Sequence, residues 1–190
     1  FRSYIGSLYP SNFIEGDENS SMGENGGTGN CVTSVGAYTN RKEWVNFEGK
    51  PKSDNNLKVG ELASFSSRGP RIDGRIKPDV AAPGQLIASA VNFRQVPGWM
   101  NDEIVYKTKY NGNDVVWALF SGTSMASPHV NGIAALLLQV SSTLNSAQVA
   151  EIFRITAQRD SFTTSDSNNN YGSGKVDALN ALKYVLNLNA

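Results

Sequence analysis

The stretch at 120–139, FSGTSMASPHVNGIAALLLQ, constrains this chain more than any other. Small residues and a tight turn lead straight into an apolar segment containing Val130, Ile133, Ala134, Ala135, Leu136, Leu137 and Leu138. Its length and residue types predict a helix from about Ser124 to Gln139. Apolar side chains fall nearly all round it, the mark of a helix covered on every side by other elements. Such a chain must wrap a sheet and further helices around a central helix.

Other segments supply those layers. CVTSVGAY at 31–38 is β-branched and apolar with little alternation, so it is expected to be a strand buried on both faces. GELASFS at 60–66 reads as a second, shorter strand, and DVAAPGQLIASAV at 79–91 as a strand or strand pair. The segment 103–120 reads as a hairpin turning at NGND, 111–114. NSAQVAEIFRITA at 145–157 is an amphipathic helix with Asn145 as N-cap and Gln148 at N3, a capping box. Its Val149, Ile152, Phe153 and Thr156 share one face. A third helix, 176–188, is expected to turn Ala178, Leu182, Val185 and Leu186 inward. Residues 1–30, rich in Gly, Ser and Asn, are expected to form a loop-rich lead-in. Buried unalternating strands followed by helices indicate an α/β layered architecture with a parallel sheet.

Charge and composition exclude several functions. Lys plus Arg and Asp plus Glu each number 17, with no basic stripe, which argues against nucleic acid or an anionic membrane as partner. No apolar run reaches the roughly 20 residues of a spanning helix. The single cysteine, Cys31, permits no internal disulfide and is expected to be a small buried strand residue. The chain begins at Phe1, without a signal-peptide pattern, and its N-terminus is read as a cut end.

Ser124 stands at the junction of strand and helix. A hydroxyl there is exposed where α/β sheets bind ligands. Its N–H belongs to the helix's unpaired first turn, and the positive end of the helix dipole favours nearby negative charge. A nucleophile beside an oxyanion site is what acyl transfer requires. Pro128 is placed in the first turn, where a missing N–H matters little. A plain N-cap serine explains the same turn and is the commoner occurrence. The one histidine, His129, lies five residues on, about 140° round the helix and about 7.5 Å along it. It is therefore expected to be buried, structural and directed away from Ser124, which leaves the serine without a base.

SGTSMASPHVNGIAALLL resembles the nucleophile motif of the subtilisin-like serine proteases, the subtilases. ASFSSRGPRIDGRIKPDVAAPGQLIASA, YGSGKVDALNAL and TGNCVTSVGAY resemble further segments of that family in its order, from about Gly27 to Leu182. The resemblance implies a subtilisin-like α/β fold, with a mainly parallel sheet and helices on both faces, incomplete in this chain. It implies that 1–190 is the C-terminal portion of one catalytic domain, with 1–30 a lead-in or insertion and 31–190 the family core. It further implies that Ser124 is the nucleophile of a serine endopeptidase acting on polypeptides, and that His129 is not the catalytic histidine. The family's Asp-Thr/Ser-Gly, His-Gly-Thr and Ala-Gly-Asn-x-Gly motifs do not occur here. The triad Asp and His are therefore expected in sequence upstream, and the chain alone is expected to be inactive.

Asp79 is tempting as a triad acid, but its counterpart in the family is structural, and it is expected to pair with Arg68 or Arg75. Asp166, Asn168, Asn170 and Asp177 loosely mimic a calcium loop with its Gly displaced and its last carboxylate shortened, so no cofactor is assigned, with calcium the one to test. Met125 is expected to pack, and oxidised in a working enzyme it would crowd the nucleophile. An α/β-hydrolase would need a histidine downstream of the serine, and none lies beyond His129. A catalytically inactive subtilase-like scaffold that binds a peptide or protein remains the alternative. Partners expected besides substrate are the N-terminal portion of the same domain and a second copy of the chain. The family resemblance favours a secreted or cell-surface location.

Overall fold

A computed structural model describes residues 18–23, 27, 29, 31–92, 100–164 and 166–188. The strands are β1 (Val35–Thr39), β2 (Glu43–Val45), β3 (Pro51–Ser53), β4 (Val80–Gln85), β5 (Ile87–Val91), β6 (Ile104–Tyr110) and β7 (Asn113–Phe120). The helices are α1 (Thr123–Val140), α2 (Ser146–Thr156) and α3 (Ala178–Leu188).

At the centre β1 and β4 pair in parallel, Val35 opposite Val80 and Ala37 opposite Ala82. Both strands are small and apolar, and α1 lies across them with α3 packed against α1 and α2. Ala37, Val80, Ala82, Ala126, Val130, Leu137, Ile152, Phe153, Ala181 and Val185 form the main core. The remaining pairings among the described residues are antiparallel: β5–β7–β6 in one sheet and the small β2–β3 hairpin. A separate cluster of Met100, Ile104, Val116 and Ala118 packs beneath the three-stranded sheet.

Both predicted hairpin and predicted capping box are present. The β6–β7 turn places Asn111 and Gly112 at φ 48° and 77°, the paired positive values of a type I′ turn. The Asn145 side chain accepts from the Gln148 N–H at 3.0 Å, and the Gln148 side chain accepts from the Asn145 N–H at 2.9 Å. Val149, Ile152 and Phe153 are the buried face of α2.

Several expectations fail for identifiable reasons. The segment 60–66 is not a strand. It lies along the edge of β1 away from β4, where the Ala63 N–H donates to Ala37 O and the Ala37 N–H to Ser66 Oγ. On the other side, the Ala81 N–H donates to Gly174 O and the Val176 N–H to Ala81 O, so 174–176 flanks β4. Both edges of the β1–β4 pair are thus met by loops of the same chain. Cys31 is exposed rather than buried, because regular pairing of this segment begins only at Val35. Leu186 is 54% exposed; Ala181 and Val185 carry the inward face of α3 instead. Finally, α1 is not covered all round. Ala126, Val130 and Leu137 are buried against the sheet, while Leu136, Leu138 and Val140 stand open at 44%, 41% and 38%.

Candidate active site

The end of β7 and the start of α1 place Ser124. The helix opens at Thr123 with Gly122 in the capping position, so Ser124 is the second helical residue and not the N-cap. It is exposed. Its N–H lies in the first turn, among the donors that have no intrahelical acceptor. Pro128 is the sixth residue of the helix, beyond the first turn, and has no N–H to donate to the Ser124 carbonyl.

His129 is exposed, not buried. Its Nδ1 stands 2.8 Å from the Met125 carbonyl oxygen one turn back, a contact that requires a proton on Nδ1. The ring folds back along its own helix on the solvent side, where the Met125 carbonyl meets its polar edge without burial. Met125 is half-buried beside the serine.

The turn is held against the sheet by small residues. The Gly122 N–H donates to Gly84 O at 2.8 Å, and the Leu86 N–H donates to Ser121 Oγ at 3.0 Å. A Cβ on Gly84 would stand 2.5 Å from Ala37 Cβ and 3.0 Å from Gly122 O, so only glycine lets β1, β4 and the turn approach this closely. Reasoning from sequence missed Gly84, Leu86 and Ser121. The small residues at both ends, Ala-Pro-Gly in β4 and Ser-Gly-Thr before α1, were the available signal.

Asp79 does not reach Arg68 or Arg75. Its Oδ2 accepts from Lys77 Nζ at 2.5 Å, the Ser34 N–H at 2.7 Å and Ser34 Oγ at 3.0 Å, tying the start of β4 to the lead-in of β1. Lys77 and Asp79 both lie in the loop that leads into β4, which brings the ammonium onto the carboxylate. Arg75 pairs with Asp73 instead. In the 166–174 loop, Asn168 Oδ1 accepts from the Asn170 and Tyr171 N–H groups, while its Nδ2 donates to Thr163 O. Among the described residues no group of His, Cys, Asp or Glu is arranged to hold a metal ion.

The model of the subtilase family, Peptidase S8, matches residues 11–174. This chain belongs to the subtilase family. The serine protease AprX of Bacillus subtilis is 36% identical over 132 residues, covering 68% of this chain and 28% of that protein. Bacillopeptidase F of the same organism is 38% identical over 127 residues, 66% of this chain and 8% of that protein. Among solved structures, the Clostridium perfringens CspB protease aligns with a TM-score of 0.57 at 27% identity, over 88% of this chain and 29% of that one. The fold is accordingly the subtilisin-like α/β fold, of which this subtilase chain carries part. It spans less than a third of the length of each of these relatives. No helix among the described residues is long and apolar enough to cross a membrane.

Proposed function

We propose that this chain, 1–190, is the C-terminal portion of a subtilase catalytic domain, and that Ser124 is the nucleophile of a serine endopeptidase. One observation carries the reading: in a chain of this family, Ser124 is exposed as the second residue of α1, at the end of a strand, without the capping role that would otherwise explain it. Its hydroxyl oxygen would attack the carbonyl carbon of a peptide bond while its proton passes to a histidine. The oxyanion would be held by the Ser124 N–H and by an asparagine side chain. The amine leaves with the histidine's proton, and water then hydrolyses the ester on Ser124. The histidine, its carboxylate partner and the oxyanion asparagine would come from sequence upstream, because His129 stands about 140° round the helix from Ser124 and about 7.5 Å along it. The reaction so written needs no cofactor. The substrate is a polypeptide, and the family resemblance favours a secreted or cell-surface setting.

Ser124→Ala in the complete catalytic domain tests the assignment. Peptidase activity should fall by several orders of magnitude with the melting temperature unchanged. A variant that keeps more than a few per cent of the activity would falsify it. An inactive binding scaffold would instead show no activity to lose.

A further inference from the structure

We infer that Ser121 is a positioning residue, whose hydroxyl, by holding Leu86 in a left-handed conformation, fixes the turn that carries Ser124. This inference rests on Ser124 being the nucleophile. At Leu86 the chain leaves the parallel pair β1–β4 and joins the antiparallel sheet beside β7. That change of sheet needs a kink, and Leu86 makes it at φ 57°. A leucine there is unusual, because its Cβ crowds the following carbonyl; surrounding contacts must hold it. Ser121 Oγ supplies one, accepting from the Leu86 N–H at 3.0 Å.

Ser121 and Gly122 stand three and two residues before Ser124. The strand-switch segment therefore grips the nucleophile turn at two points, Gly84 O on the Gly122 N–H and the Leu86 N–H on Ser121 Oγ. A turn held at one point can pivot about that bond; held at two it has one orientation. Gly84 and its contact with Ala37 make the first point rigid. The second depends on a single exposed side chain. If Leu86 relaxes toward ordinary φ, its N–H turns away from Ser121. The Ser124 hydroxyl and N–H then lose the fixed placement that in-line attack and oxyanion binding demand.

The test compares Ser121→Ala, Ser121→Thr, Leu86→Gly and the double variant Ser121→Ala/Leu86→Gly in the complete catalytic domain. The readouts are kcat and KM on a peptide substrate and the rate of fluorophosphonate labelling at Ser124. Ser121→Ala should slow labelling and kcat about tenfold, the scale of one lost hydrogen bond, with KM unchanged. Ser121→Thr keeps the acceptor and should restore both rates. Glycine at 86 is free to leave positive φ and already loosens this second grip, so in the Leu86→Gly background the Ser121→Ala loss should shrink to less than about threefold. Amide exchange at Leu86 in this chain should accelerate in Ser121→Ala. Labelling of Ser121→Ala at the wild-type rate would overturn the inference, as would a loss that Ser121→Thr does not repair or that stays about tenfold in the Leu86→Gly background. Failure of the wild-type domain to label at Ser124 would overturn the nucleophile assignment instead.

Discussion

At the scale of single residues, the site is a matter of clearance. Gly84→Ala would place a methyl group 2.5 Å from Ala37 Cβ and against Gly122 O, where backbone and core must shift. Thermal or denaturant unfolding of the chain should show a loss of about 1–3 kcal/mol, typical of overpacking. The nucleophile turn should be displaced with it, so labelling of the complete domain should fall further than stability does. Unchanged stability would show that β1 and β4 are less closely apposed than described. His129 predicts the opposite outcome. It is exposed and its ring bonds back to its own helix, so His129→Gln should alter stability by no more than about 0.5 kcal/mol. The place of Ser124 at the start of α1 was legible because the turn, the helix start and the small flanking residues are local in sequence. The exposure of His129 was not legible: an apolar stretch says that a helix has a core face, but not which residues the rest of the protein covers. The Asp79 partner was misread for a related reason, since the contact with Lys77 depends on the course of the loop before β4, which no local pattern reveals.

At the scale of elements, local rules succeeded and pairing rules did not. The capping box, the type I′ turn and the buried face of α2 follow from neighbours within four residues. Asn145→Ala should accordingly cost about 1 kcal/mol of chain stability by denaturant titration, with Asn145→Ser costing little. The segment 60–66 has strand-like residues, but whether it joins a ladder depends on what β1 offers at its edge, which no local pattern reveals. A second element-scale feature was hidden entirely. Lys175 is buried, its ammonium 4.7 Å from the Tyr38 ring centroid and 5.2 Å from that of Phe162, and it pairs with Asp160 at 2.5 Å. These residues join β1, the 158–162 turn and the segment flanking β4. Burial works against ionisation of Asp160. Hydrogen bonds from Lys175 Nζ and the Phe162 amide, with the nearby Lys175 charge and the Thr163 amide, outweigh it and hold the carboxyl below its ordinary value. A depressed folded pKa adds stability that is present above the unfolded value, about 3.9, and is lost as pH falls through the folded one. Melting temperatures of the chain and of Asp160→Asn should therefore differ at neutral pH and converge below about pH 4. A gap independent of pH down to strongly acid solution would show that the pair carries no such linkage.

At the scale of the whole molecule, the α/β class was legible because β1 and β4 are apolar without alternation and α1 carries the long apolar run 133–138. The lack of cover over one side of α1 is the main departure from a self-sufficient core. Leu136 and Val140 stand together at one margin of that side and Leu138 at the other, and exposed apolar surface favours association. Sedimentation velocity of the chain alone should show self-association, relieved by the upstream portion of the domain. A non-associating monomer with a cooperative melt would show that these residues close their own core. Fluorophosphonate labelling tests the assignment of Ser124 most directly, on the purified chain alone and then with the upstream portion added. The chain alone should react slowly, because the base proposed for Ser124 lies upstream. With the upstream portion present it should label stoichiometrically at Ser124, and Ser124→Ala should abolish the adduct. Rapid labelling of the isolated chain, or an adduct that survives Ser124→Ala, would contradict the account.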